Sequence, residues 1–253
     1  MFFKKGFLIG TAQYPSLQIL EQSILAAEPD YITVSLKREN LRPTQSHAFF
    51  DKLCALGIPL LPNTAGCRTA SEAITVAHMA REIFGTSNIK LEVIGDDHLL
   101  APDLSELLIA AEKLVEQNFT VFPYCTEDSI FCRKLYERGC HILMPWGSPI
   151  GSGLGLSHPS ALKRLRESLP DATLVVDAGI GSPEHALQAL LMGYDAVLIN
   201  SAIAKAQDPV KMAQAFKLSV ESGRLAYQAG LMPQSSFAQG STSLTDTLFW
   251  SPA

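Results

Sequence analysis

The sequence lacks the cysteine and histidine patterns that bind metals or build disulfide frameworks. Its five cysteines are odd in number, and none forms a CxxC pair or combines with histidine at a zinc-site spacing. None of the six histidines lies in an HExxH motif. We therefore expect no metal centre, and cysteines that stay reduced as they do in the cytoplasm.

A long apolar segment and an excess of basic residues are also missing. No uninterrupted apolar run approaches the roughly 18 residues of a membrane span, and no signal-peptide pattern follows the first residues. Lys and Arg total 20 against 25 Asp and Glu, a net charge of -5, whereas a nucleic-acid-binding face needs a basic excess. We predict a cytoplasmic protein with no membrane span and no nucleic-acid partner.

Short apolar segments recur along the 253 residues, of which 47% are hydrophobic. Most of these segments are hydrophobic throughout rather than alternating, which is typical of parallel strands buried on both faces. The gaps between them are long enough for crossover helices. The predicted strands are residues 7–12, 31–36, 59–64, 89–94, 120–125, 141–146, 173–179 and 196–201.

Helix signals lie in several of those gaps. Ser182-Pro183 gives an N-cap and a first-turn proline, with Gly193 at the expected helix end, and Asp208-Pro209 with Gly223 repeats the pattern. This alternation predicts an α/β protein, a single-domain (β/α)8 TIM barrel of about 250 residues, with an open doubly wound sheet as the alternative. We place the barrel catalytic domain at 1–232 and a flexible C-terminal tail at 233–253.

Two charged residues interrupt the fourth predicted strand. In Ile89-Lys90-Leu91-Glu92-Val93-Ile94, the strand's period of two places Lys90 and Glu92 on one face, which we expect to point into the barrel. Burial there would lower the pKa of the lysine and supply a neutral amine that attacks a ketone, with Glu92 moving protons. A buried structural ion pair is the alternative that the residues alone leave open.

Polar and glycine-rich segments follow the last three predicted strands. Asp177 ends the seventh strand and precedes Ala178-Gly179, and Asn200-Ser201 ends the eighth. Loops after strands seven and eight are the usual phosphate site of a TIM barrel. After strand six, residues 144–155 contain four glycines and two prolines, which favours a loop that passes close over a ligand.

Taken together, these motifs resemble thiazole synthase of thiamin biosynthesis. The resemblance extends from about residue 7 to residue 227, and it is weaker after Met232. This sequence departs mildly from the family at Lys37, because a second arginine is common at that position in thiazole synthases. The motifs that carry it are Gly10-Thr11-Ala12-Gln13-Tyr14-Pro15, Thr33-Val34-Ser35-Leu36-Lys37-Arg38, Leu61-Pro62-Asn63-Thr64-Ala65-Gly66, Ile89-Lys90-Leu91-Glu92-Val93-Ile94-Gly95, Met144-Pro145-Trp146 with Pro149-Ile150-Gly151-Ser152-Gly153, and Val176-Asp177-Ala178-Gly179-Ile180-Gly181.

The resemblance implies a specific reaction. The family condenses 1-deoxy-D-xylulose 5-phosphate, a thiocarboxylate on a small sulfur-carrier protein, and dehydroglycine into a thiazole phosphate carboxylate. On this model Lys90 forms an imine with the C2 ketone, and Glu92 and Asp177 act as general acid and base. The residues carried over as substrate and phosphate contacts are Gly151, Ala178, Gly179, Asn200 and Ser201.

The resemblance also implies partners and leaves other functions to be distinguished. It implies a sulfur-carrier protein, the enzyme that produces dehydroglycine, and a homo-oligomer, and it needs no cofactor because the lysine is the electron sink. One alternative is a Schiff-base aldolase-like lyase on a sugar phosphate. Another is a non-catalytic barrel that binds a phosphorylated ligand.

Overall fold

A computed structural model describes residues 2–36 and 43–238, with side chains left undescribed at 43–48. Lys37 and Arg38 of the resemblance motifs lie outside the described residues, as do residues 239–253 of the predicted tail. Residues 233–238 contain no helix or strand. The division at 232 between barrel and tail stays a prediction.

The strands form one closed barrel in which each strand is parallel to the next and β8 pairs with β1. This confirms the predicted (β/α)8 TIM barrel and its eight strands. The predicted fourth strand was too long, since β4 ends at Leu91 and leaves Glu92 just beyond it. The strands are β1 Phe7–Gly10, β2 Tyr31–Ser35, β3 Leu60–Asn63, β4 Asn88–Leu91, β5 Thr120–Cys125, β6 Ile142–Pro145, β7 Thr173–Asp177 and β8 Ala196–Ile199.

A helix follows each strand, and two follow β8. Several helices begin at side-chain caps, for example Ser16, Thr69 and Asp103, whose oxygens accept hydrogen bonds from main-chain N–H groups of the first turn. The helices are α1 Leu17–Ala27, α2 Pro43–Ala55, α3 Ala70–Phe84, α4 Leu104–Glu116, α5 Ser129–Glu137, α6 Pro159–Ser168, α7 Pro183–Leu191, α8 Ser201–Ala204 and α9 Pro209–Ala229.

The last long helix corrects one expectation. Gly223 was predicted to end the helix that starts after Asp208, but it lies inside α9. A Cβ on Gly223 would lie 2.8 Å from Leu190 Cβ in α7, so this glycine allows the two helices to pack closely. Gly230 follows the true end of α9.

The barrel interior changes from apolar to polar along the strand direction. Near the N-terminal ends, the Tyr31 ring contacts the rings of Phe3 and Phe122, with a centroid distance of 6.1 Å to each. Above them lies a cluster of buried apolar side chains from alternate strand positions. The polar residues next along the same strands therefore lie at the C-terminal ends, where TIM barrels place their sites.

Helices around the barrel bury their apolar faces on its outer surface. Within residues 2–36 and 43–238, no helix is both long and apolar enough to cross a membrane.

Candidate active site

A cavity of about 510 Å³ opens at the C-terminal ends of the strands. Every residue proposed for the site from the sequence lines this one cavity. They are Lys90, Glu92, Gly151, Asp177, Ala178, Gly179, Asn200 and Ser201. The structure thus brings together residues that span more than 100 positions of the chain, and the roles assigned to them stay predictions.

Lys90 lies between two carboxylates at the floor of the cavity. Its Nζ is 2.9 Å from Glu92 Oε1 and 2.7 Å from Asp177 Oδ2. All three residues are buried, with exposed fractions of 5%, 6% and 3% for Lys90, Glu92 and Asp177. Distances this short allow a proton to pass directly between the amine and either carboxylate.

The pKa of Lys90 shifts in the direction opposite to the one expected from the sequence. Burial lowers it, as expected, but the charges of Asp177 and Glu92 and their hydrogen bonds outweigh burial, so the pKa is raised above its usual value. The resting lysine is therefore protonated. A neutral amine must arise by proton transfer to a neighbouring carboxylate.

Asp177 is suited to receive that proton. Burial raises its pKa, Lys90 lowers it, and Glu92 raises it again, so the net direction is upward. A carboxyl group with a raised pKa holds a proton more readily near neutral pH, which suits a general acid.

Tyr124 lies beside this cluster, one residue before the end of β5. Its ring centroid is 5.7 Å from Lys90 Nζ, and its hydroxyl donates a hydrogen bond to Leu100 O at 3.3 Å. Tyr124 is fully buried. The ring gives Lys90 an aromatic face and ties the loop after β4 to the barrel.

The glycine-rich loop after β6 packs directly on the loop after β7. Gly155 N–H donates to Gly179 O at 2.8 Å, and Gly147 N–H donates to Ala178 O at 3.2 Å. A Cβ on Gly181 would lie 2.2 Å from Gly153 O, so a side chain there would separate the loops. The glycines therefore allow two main chains to form one wall of the cavity.

The polar end of β8, the strand next to β7, lines the cavity beside these loops. Asn200 packs against Gly10, where a Cβ would lie 2.5 Å from Asn200 Cβ. Asn200 Oδ1 is buried and has no hydrogen-bond partner within the part of the chain that the structure describes. Ser201 lies opposite Gly151, whose Cβ would be 3.9 Å from Ser201 Oγ. Lys205, an exposed cation, lines the same cavity.

Five polar residues of the cavity lining were not proposed as site residues from the sequence, namely Thr11, Thr33, Ser35, Asn63 and Lys205. Thr33, Ser35 and Asn63 line the cavity and occur in the resemblance motifs without an assigned role. The strand period could have found Thr33 and Ser35, because both lie on the face of β2 opposite the buried Val34. Lys205 follows a predicted strand at no distinctive spacing, so no sequence pattern singled it out.

Residues 2–36 and 43–238 contain no group of three or more His, Cys, Asp and Glu side chains arranged to hold a metal ion. The chemical groups of the cavity are therefore one amine, two carboxylates, hydroxyls, amides and the Lys205 ammonium.

Comparison with known proteins shows to which family the chain belongs. It matches the family described as "Thiazole biosynthesis protein ThiG" over residues 1–243. It is 54% identical over 248 residues to the thiazole synthase of Nitrobacter winogradskyi, covering 98% of this chain and 95% of the relative. The thiazole synthase of Bradyrhizobium diazoefficiens gives the same values, with 54% identity over 248 residues, 98% of this chain and 95% of the relative.

A solved structure shares both fold and sequence. The crystal structure of the Amycolatopsis orientalis BexX/CysO complex contains a chain that superposes with a TM-score of 0.84 and 30% identity, covering 93% of this chain and 96% of that one. The barrel and its cavity thus agree with the family match. The chain belongs to the thiazole synthase family.

Proposed function

We propose that this enzyme holds 1-deoxy-D-xylulose 5-phosphate as an imine on Lys90 and adds sulfur and dehydroglycine to form a thiazole phosphate carboxylate. The observation that carries the proposal is the buried Lys90 amine, 2.9 Å from one carboxylate and 2.7 Å from another, at the floor of the cavity. An amine with two proton carriers beside it has the groups that imine formation requires.

The first step is activation of the amine. The protonated Lys90 gives a proton to Asp177 or Glu92, and the free amine attacks the C2 ketone of the sugar. The resulting alkoxide takes up that proton, and the positively charged nitrogen returns one proton to the carboxylate, which gives the neutral carbinolamine. A protonated carboxyl group then donates to the departing hydroxyl, so water leaves and the imine forms. The raised pKa of Asp177, caused mainly by burial, supports its role as this acid.

The same carboxylates serve the next step. The imine withdraws electrons from C3, and a carboxylate that has lost its proton removes the C3 hydrogen. Return of protons at new positions moves the carbonyl group along the sugar before sulfur enters. Because Glu92 and Asp177 both contact the same amine, we assign these proton transfers to the pair rather than to either residue alone.

We propose that the phosphate end of the sugar lies between the loops after β6, β7 and β8. Main-chain groups that no large side chain shields are supplied by Gly151, Ala178 and Gly179. Ser201 supplies a hydroxyl. Asn200 lines the same cavity, and its amide NH2 group can donate to a phosphate oxygen. Lys205 adds a positive charge at the rim, which attracts a phosphorylated substrate.

The sulfur donor is proposed to be a small carrier protein whose extended C-terminal tail enters a glycine-lined groove. Gly153 and Gly155 lie on the loop at the mouth, and the related BexX was solved in complex with CysO. Gly153 is the better test position because a Cβ there would make an ordinary 3.7 Å contact with Gly181 Cα. At Gly155, a Cβ would lie 2.7 Å from the His185 ring and would clash with helix α7.

The groove is tested by measuring carrier binding to Gly153→Leu and to Gly57→Leu. Both glycines have φ +68°, so both variants carry similar backbone strain, and Gly57 has no atom within 4 Å of its Cβ position. We expect weaker binding for Gly153→Leu alone. Equal affinities in the two variants would count against the groove.

The whole reaction is tested by product analysis. The purified enzyme is incubated with the sugar phosphate and dehydroglycine, with or without the carrier thiocarboxylate, and products are identified by mass spectrometry. We expect thiazole phosphate carboxylate only when the carrier is present. Cleavage of the sugar phosphate without any sulfur donor would instead indicate an aldolase-like lyase.

Three further proposals concern the cellular setting. We propose that the enzyme is cytoplasmic and forms a homo-oligomer, and that it receives dehydroglycine from the enzyme that produces it. Cell fractionation tests the location and light scattering tests the oligomer. A membrane-associated pool or a monomer at working concentration would contradict them.

A further inference from the structure

The β3 and β4 strands separate just where the proposed catalytic residues lie. Asn63 pairs with Lys90, and Thr64 N–H donates to Lys90 O at 3.1 Å. If the parallel ladder continued, Glu92 N–H would donate to Thr64 O. Instead Thr64 O accepts from Cys67 N–H at 3.1 Å, and contact between the chains resumes where Ile94 N–H donates to Cys67 O at 2.9 Å.

The side chain of Thr64 fills the gap in the ladder. Its Oγ1 accepts a hydrogen bond from Glu92 N–H at 2.8 Å and donates one to Glu92 O at 2.8 Å. One hydroxyl thus satisfies both main-chain groups of Glu92, which lies beyond the end of β4. Thr64 is fully buried, so water does not compete for these bonds.

We infer that Thr64 is a positioning residue that holds the main chain of Glu92 so that its carboxylate reaches the Lys90 amine. The inference rests on the proposed imine chemistry at Lys90. Through its own N–H group Thr64 also fixes Lys90 O, so a single residue, the first after β3, contacts the main chain of both members of the ion pair.

This arrangement has a reason in the geometry of the site. A regular ladder would hold Glu92 by main-chain bonds alone, but the chain turns after β3, so that Thr64 O bonds to Cys67 N–H instead of Glu92 N–H. The hydroxyl restores the missing bonds without a main-chain partner. Since proton transfer is sensitive to displacements of about 1 Å, loss of the hydroxyl should slow chemistry more than it weakens substrate binding.

The test compares Thr64→Val with Thr64→Ser. Valine has nearly the shape of threonine but lacks the hydroxyl, whereas serine keeps the hydroxyl and loses a methyl group. Ser23→Ala is a matched control because Ser23 is a fully buried residue of α1 whose hydroxyl donates to Ile19 O at 2.7 Å, away from the cavity. The readout is the rate constant and the amplitude of the sugar-phosphate adduct trapped by borohydride.

We expect Thr64→Val to trap the full amplitude with a rate constant about 10-fold to 100-fold lower, and with an almost unchanged dissociation constant for the sugar phosphate. Thr64→Ser and Ser23→Ala should react at nearly the wild-type rate. If Thr64→Val does not fold, Thr64→Ala takes its place in the same comparison, with the same expected slow rate.

Each other outcome contradicts either the positioning role of Thr64 or the proposed imine. A reduced amplitude with a normal rate constant in Thr64→Val, or an equal loss of rate in Thr64→Ser, means that Thr64 has only a structural role. A normal rate and amplitude in Thr64→Val overturns the inference while the imine stands. Absence of an adduct in the wild type overturns the proposed imine, and the inference with it.

Discussion

Replacing Gly179 with alanine tests whether the packed loops after β6 and β7 form the substrate site. Gly179 has φ +79°, and a Cβ there would lie 2.1 Å from Ser148 Oγ and 2.5 Å from Ser148 N. Ser148 cannot rotate away freely, because it is buried and its hydroxyl donates to Gly155 O at 2.9 Å. The new methyl group must therefore push the β6 loop away from the β7 loop.

The expected cost has two parts. An alanine with left-handed φ costs about 1–2 kcal/mol, and overpacking against Ser148 adds about 1–3 kcal/mol, which gives roughly 2–5 kcal/mol in all. The matched control is Gly85→Ala, where φ is +61° but no atom lies within 4 Å of the Cβ position. The control should lose about 1–2 kcal/mol, so the difference of about 1–3 kcal/mol reports the loop contact.

Thermal unfolding and calorimetric titration with 1-deoxy-D-xylulose 5-phosphate measure the two effects. For a chain of this size each kcal/mol lowers Tm by about 2–4 °C. We expect Gly179→Ala to melt below Gly85→Ala and to bind the sugar phosphate more weakly, whereas Gly85→Ala binds as the wild type does. Equal melting temperatures with equal affinities would refute the role of this contact in shaping the site.

Two other predictions follow from charge and burial. Asp177→Asn removes the carboxylate that contributes most to the raised pKa of Lys90, so that pKa should fall and the pH profile of imine trapping should shift to lower pH by about 1–3 units; a shift to higher pH would contradict the assignment. Cys54 is exposed while the other four cysteines are buried, and burial raises the pKa of the Cys140 thiol to about 12. Iodoacetamide at pH 8 should therefore add one group to the native protein, at Cys54, and two or more native adducts would show that the barrel opens.

The sequence predicted the barrel well because its signals are local. Continuous apolar segments mark strands buried on both faces, and proline after a capping residue marks helix starts at Pro183 and Pro209. Gly223 was misjudged because glycine marks helix ends and also close helix contacts, and the sequence does not show Leu190 of α7 opposite it.

The placement of the candidate residues at one cavity could be predicted better than their electrostatics, and their roles stay predictions. The period of a strand was enough to place Lys90 and Glu92 on one face. The direction of the Lys90 pKa shift depends on Asp177 as well, which lies on β7 and reaches Lys90 only when the barrel closes. The Thr64 hydroxyl was missed for a similar reason, since its role depends on the divergence of β3 and β4 rather than on any motif.

The central claim is that Lys90 forms an imine with the substrate ketone. Intact-protein mass after incubation with 1-deoxy-D-xylulose 5-phosphate and borohydride tests it most directly, in the wild type, in Lys90→Ala and in the control Lys211→Ala, whose lysine is exposed on α9. We expect one reduced adduct in the wild type and in Lys211→Ala, and none in Lys90→Ala. An adduct that persists in Lys90→Ala, or no adduct in the wild type, would contradict the mechanism.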